Sequence, residues 1–247
     1  MPNLLCYIVI IIKRNIKVNS NKKTAIIVGV LFIIATASLF AESLYEPILS
    51  SPDYLDIIYP NKTIAIIGIL LESIMIPAMF FISIFLYPIL KKHNKVLALG
   101  YIGFRSLEAL LLSIAQISKL SLINLSRDYL NKSELNVSYF QNIGSSIQSR
   151  LYWVNTDGVI YVTVFAIGAL MLYSVLYKSK LVPRFISAWG FIATVTILTG
   201  IILSIFTDIS PVIAILLIAP IAVQEMVMAI WLIVKGFNPS AIASEPA

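Results

Sequence analysis

Residues 64–86 read IAIIGILLESIMIPAMFFISIFL, twenty-three positions with a single ionisable side chain, Glu72. At 1.5 Å per residue such a helix is about 35 Å long, enough to cross a hydrocarbon core of roughly 30 Å. No period-two alternation runs through the stretch, which argues against a barrel strand. Five further stretches have the same character, 24–41, 96–118, 158–177, 186–206 and 212–234. The fold class that follows is all-α, a polytopic membrane protein built as a bundle of six transmembrane helices. Composition points the same way. Of 247 residues, 59% are hydrophobic and 12% charged, with a mean hydropathy of +0.93. A soluble domain carries about 25% charged residues, so a soluble enzyme, a disordered chain and a coiled coil are excluded. The single cysteine, Cys6, and single histidine, His93, leave no material for a disulfide framework, a cysteine-built metal site or a bis-histidine haem site. No cofactor is expected.

The net charge of +6 does not point to a nucleic-acid partner, because the basic residues fall in short clusters between apolar runs. Lys13, Arg14, Lys17, Lys22, Lys23, Lys91, Lys92, Lys95, Lys178, Lys180, Arg184 and Lys235 fall on one side of the predicted topology. Lys62, Lys119, Arg127, Lys132 and Arg150 fall on the other, and Arg105 lies inside a span. The basic excess marks the cytoplasmic side, so both termini are expected there. The membrane domain is read as residues 22–240, followed by a tail over 241–247. Residues 1–21 are read as a cytoplasmic or interfacial segment. Its apolar part, Leu4 to Ile12, is too short to span, and a start codon placed upstream of the native one is the other reading. On the opposite side, Phe140, Ile143, Ile147 and Leu151 recur at helical spacing and predict a short helix on the outer surface.

Several strings carry a family resemblance. Ala98-Leu99-Gly100-Tyr101-Ile102-Gly103-Phe104-Arg105 with Glu108-Ala109 is one, and Ser179-Lys180-Leu181-Val182-Pro183-Arg184 with Trp189-Gly190 is another. The last is Gln224-Glu225-Met226 running to Trp231-Leu232-Ile233-Val234-Lys235-Gly236-Phe237. Together they resemble the bacterial membrane family filed as domain of unknown function four-three-eight-six, over roughly residues 22 to 240. The resemblance implies a six-span, multi-pass protein of a bacterial cytoplasmic membrane and no established activity.

The residues able to carry chemistry are the ionisable ones inside spans, since a charge at the helix centre costs about 2.5–3.5 kcal/mol on insertion scales. Counting from span ends places Glu72, Arg105, Glu108 and Glu225 near the midplane. Arg105 and Glu108, three apart, share a helix face. The same face continues through Leu112, Gln116 and Lys119, a polar path from the membrane centre to the outer surface. With Glu72 and Glu225 the only acids of similar depth on other helices, at least one is expected within hydrogen-bonding distance of Arg105. Three midplane carboxylates against one guanidinium would leave two negative charges to be protonated, hydrated or matched by a cation. Asp157 is expected to cap the fourth helix at the outer interface, with a place at the mouth of the polar path as the other reading. Pro77 and Pro220 should free the carbonyls of Ser73 and Leu216 and kink their helices. Gly29, Gly68, Gly100, Gly103, Gly168 and Gly200 permit close helix approach. Tyr173 is among the aromatic residues expected as interface anchors.

Two functional readings follow. The leading one is a transporter-like protein whose midplane site takes a small molecule or ion. The alternative is a non-catalytic membrane subunit or sensor, with a structural charge cluster and a membrane-protein partner. Both place the chain in contact with the lipid bilayer. An enzyme is disfavoured, because no Ser–His–Asp set, phosphate-cradling glycine loop or zinc motif is present.

Overall fold

A computed structural model describes residues 4–131, 137–207 and 209–243, with side chains from Ser20 onward except that of Pro211. Its helices are α1 (Leu4–Leu39), a 3-10 turn (Phe40–Leu44), α2 (Glu46–Leu49), α3 (Tyr54–Ile57), α4 (Lys62–Ser73), α5 (Met75–Leu90) and α6 (Lys95–Leu130). There follow α7 (Val137–Val154), α8 (Val159–Ser179), α9 (Arg184–Leu203), α10 (Pro211–Val234) and α11 (Pro239–Ala243). No strand occurs among the described residues. Six helical stretches are long and apolar enough to cross a membrane: Ser20–Leu44, Lys62–Leu90, Lys95–Leu130, Val137–Ser179, Arg184–Leu203 and Val212–Val234. The protein is a multi-pass membrane protein.

The spanning helices close a ring. Each packs against two principal neighbours, in the order α1, α5, α6, α8, α9, α10 and back to α1. Four-residue turns make α5–α6 and α8–α9 antiparallel neighbours, and the turn after α5 is fixed by Asn94, whose side chain caps α6 by accepting from the Leu97 amide at 2.9 Å. Large apolar side chains point outward to lipid, among them Ile67, Leu70, Phe81, Leu110, Ile192 and Ile215. Polar ones turn inward, the arrangement expected where the solvent is hydrocarbon. In α4, Ala65, Gly68, Ile69 and Glu72 form the buried face.

Several expectations need correction. The third span does not stop near residue 118, because α6 continues to Leu130. Its 36 residues make it about 54 Å long, well beyond the bilayer core. The polar residues that lower hydropathy after 118 are packed against protein. Lys119, Leu122, Ile123 and Ser126 are buried on a helix covered by α3, α4 and α7. Lys119 is therefore not an outer-surface charge. A second core gathers there, with Tyr45, Tyr54, Leu55, Ile58, Ile69 and Leu122 buried in it and Phe140, Ile143 and Leu151 packed against it. The predicted surface helix is thus α7, docked on this outer layer.

Pro77 acts as anticipated. The second span is broken at Ile74, whose amide turns to the Leu71 carbonyl at 3.2 Å, separating α4 from α5. Pro220 does not interrupt α10. At the N-terminus α1 is continuous from Leu4, and the packing of Leu4 to Ile12 falls outside the described side chains.

The glycines divide. A Cβ on Gly29 would lie 2.6 Å from the Ala229 carbonyl oxygen and 2.7 Å from Ile233 Cγ1, so α1 and α10 touch backbone to backbone. Gly103, expected at a helix contact, has nothing within 4 Å of its would-be Cβ. Gly29→Ala should cost about 1–3 kcal/mol by overpacking, while Gly103→Ala should gain about 0.5–1 kcal/mol from helix propensity. Thermal unfolding in detergent checks both.

Candidate functional site

Depth is measured from the ring end that carries Lys91, Lys180 and Lys235. Arg105 is ten residues into α6, about 15 Å, and Glu225 is nine residues from the end of α10, about 14 Å. Both therefore lie about half the thickness of a 30 Å hydrocarbon core from that end. Glu72 is eighteen residues from the end of α5, about 27 Å away and so roughly 13 Å higher in the ring than Glu225.

Arg105 is the centre of the midplane cluster. Its Nη1 donates to both Glu108 oxygens, at 3.0 and 2.8 Å, and its Nε donates to Tyr101 Oη at 3.2 Å. The guanidinium also stacks 5.4 Å from the rings of Tyr101 and Phe165. Glu108 accepts a further bond from Tyr161 Oη at 3.0 Å. Glu225 approaches Nη2 at 3.9 Å, an ion pair but longer than the expected hydrogen bond. Among the described residues its carboxylate has no hydrogen-bond donor, and its side chain keeps 18% exposure. The neighbouring Gln224 fixes the rotation of α10, accepting from Tyr173 Oη at 2.6 Å and donating to the Ile186 carbonyl at 3.0 Å. Tyr173 is thus an interior strut, not an interface anchor.

These groups border a cavity of about 110 Å³ on the ring axis, lined from all six ring helices. Thr36 lines it, and its buried hydroxyl has no hydrogen-bond partner. The wall is otherwise largely apolar, with Phe32, Met79 and Ile221 prominent. Two carboxylates face one guanidinium here, so full ionisation leaves one negative charge, not the two anticipated.

A second cluster lies toward the outer layer. Lys119 Nζ donates to Glu72 Oε2 at 2.9 Å and to Tyr45 Oη. Tyr45 Oη donates to the same carboxylate oxygen at 2.6 Å. Because Cβ bonds tilt toward the helix N-terminus, Lys119 reaches back into the membrane from its high position on α6. Glu72 Oε1 is buried without a partner. Lys119 also borders a vestibule of about 250 Å³ with Glu42, Asp157 and Asn155. Asn155 Nδ2 donates to Glu42 Oε1 and to Asp157 Oδ1, each at 3.1 Å. Asp157 does not cap the fourth helix. Gly158 occupies the N-cap of α8 and no side chain bonds there.

Gln116 lies on α6 between the clusters, buried, with neither amide atom bonded. Thr156 Oγ1 lines the midplane cavity and lies 3.5 Å from Glu42 Oε2 of the vestibule.

Residues 27–236 match the family described as Domain of unknown function (DUF4386). The chain belongs to that family. No curated protein and no solved structure matches it. The DUF4386 region contains every residue of both clusters, from Thr36 to Glu225. Of these, Arg105, Glu108, Glu225 and Glu72 stand out in sequence as charges within apolar runs. Tyr45, Tyr101, Tyr161, Thr36 and Asn155 carry no such signal, since tyrosines and small polar residues are common in membrane helices. Among the described residues, no group of three or more His, Cys, Asp or Glu side chains could hold a metal ion.

Proposed function

We propose that this protein is transporter-like and that its midplane cavity takes a small cation or a proton. The observation that carries this reading is the ring-axis cavity bordered by Arg105, Glu108 and Glu225. Its excess of one carboxylate favours positive charge, and its volume of about 110 Å³ suits an ion with a few waters at ~30 Å³ each. Drug-sized ligands need about 300 Å³ or more. Glu225 is the group placed to take the charge, because it has no hydrogen bond to lose. The vestibule with Glu42 and Asp157 is the outer approach, and Gln116 and Thr156 form the constriction on the polar path.

The test uses the full chain in liposomes loaded with a pH-reporting dye, under an imposed sodium, potassium or proton gradient. Flux above that of empty liposomes is expected, falling about ten-fold or more in Glu225→Gln, a change of about 1.4 kcal/mol, with thermal stability retained. Equal flux from protein-containing and empty liposomes would sink the reading. A co-purifying membrane partner unaffected by Glu225→Gln would favour a structural subunit instead.

The proposed setting is a bacterial cytoplasmic membrane with both termini inside. Single cysteines placed at 91–95 or 178–184 should then resist an impermeant thiol reagent in intact cells, while one beside Asp53 should react. Labelling of the first group from outside would reverse the orientation.

A further inference from the structure

The strings Ser179–Arg184 and Trp231–Phe237 play no part in either cluster, yet they meet. They line a groove of about 580 Å³ at the basic end of the ring. Its floor is two loops locked together, with the Asn238 amide donating to the Leu181 carbonyl at 2.9 Å and Asn238 Nδ2 donating to the Lys180 carbonyl at 3.3 Å. Lys180, Arg184 and Lys235 all line the groove, and among the described residues no carboxylate does. Among the described residues none of the three forms a salt bridge. The Arg184 guanidinium rests 5.3 Å from the Tyr177 ring, an attraction that holds it without using its hydrogen-bond donors.

Lys180 supplies a second observation. It ends α8 at φ 56°, the one positive-φ residue other than glycine among those described. Glycine is the ordinary occupant of a left-handed helix terminus, where a Cβ is strained. A lysine kept in that conformation points to a role for its ammonium group.

We propose that this groove binds the phosphate headgroup of an anionic phospholipid. Three cations that form no salt bridge among the described residues, gathered in one groove, match a phosphodiester. Trp231 in the wall is the residue type that settles at headgroup level. Exposed apolar Phe185 and Val234 adjoin the groove, offering surface for an acyl chain that free phosphate would not use. Basic pockets between helices at a membrane face are a recurrent headgroup site.

The full chain, delipidated in detergent and presented with equal phosphatidylglycerol and phosphatidylcholine, is examined by native mass spectrometry. Phosphatidylglycerol should be retained preferentially. Each cation near an anionic surface contributes about five-fold, so Lys180→Gly should cut the preference about five-fold. Arg184→Gln with Lys235→Gln should cut it roughly twenty-five-fold. Lys180→Gly relieves the left-handed strain, so its thermal midpoint should hold or rise while selectivity falls, a combination that a purely structural lysine would not give. Lys91→Gln with Lys92→Gln removes equal charge from the same end outside the groove and should leave the preference intact. The proposal is overturned if the two lipids bind equally or if Lys180→Gly keeps full preference. It is also overturned if the Lys91 and Lys92 pair matters as much, or if inorganic phosphate at about 10 mM displaces the lipid.

Discussion

Arg105→Ala should be among the most destabilising single substitutions in this protein, costing about 3–5 kcal/mol, the range for breaking one side of a buried ion pair. Arg105 is 5% exposed and Glu108 1%, so bulk solvent offers the stranded Glu108 carboxylate little compensation. Glu108 would keep only the Tyr161 bond, and Glu225 would lose its only ion-pair partner among the described residues. Glu108→Gln should cost less, because Tyr161 and Arg105 can both donate to the new amide oxygen. Glu225→Gln should cost least, since it breaks a 3.9 Å contact and no hydrogen bond. Unfolding midpoints in detergent give the order, and adding Glu108→Gln to Arg105→Ala should recover part of the loss. A variant lacking Arg105 that unfolds like the parent would mean that water already solvates the cluster.

Lys119→Met should have a comparable effect through the other cluster. Methionine preserves most of the aliphatic stem, so the change isolates the charge. Glu72 would keep only the Tyr45 hydroxyl, with one oxygen already unpartnered, and a loss of about 3–5 kcal/mol is expected. Glu72→Gln in that background should restore much of it. The exposed neighbours Arg127 and Asp128, 2.9 Å apart on the same helix, provide the contrast. Arg127→Ala should leave the midpoint unchanged within error, as exposed pairs contribute little. If the two substitutions behave alike, the Lys119–Glu72 pair is solvated as well as the exposed one.

The contrast between these clusters marks what could be read from the chain. Arg105 and Glu108 are neighbours by helix geometry alone, so their pairing is legible from a spacing of three. The break at Ile74 is legible from Pro77, because the missing amide falls at a fixed offset. The Lys119–Glu72 pair is not. It depends on where α6 really ends, and hydropathy stops the span at the first polar residues even when protein covers them. It depends also on the register of α4 against α6 and on Tyr45 just after the 3-10 turn, which no local pattern specifies. The ring order, and hence the cavity on its axis, is likewise a property of packing among helices that look alike in sequence.

The height of the midplane cluster carries an electrical consequence. A cation held at the level of Arg105 and Glu225, about 15 Å from one face, has crossed roughly half of a 30 Å insulating layer. Moving a unit charge through the whole layer is worth about 2.3 kcal/mol per 100 mV, so half the distance is worth about 1.2 kcal/mol. Occupancy of this position would then change about seven-fold for each 100 mV, with a sign set by the side of entry. The Lys119–Glu72 pair is neutral as a unit and should be almost indifferent to the same voltage.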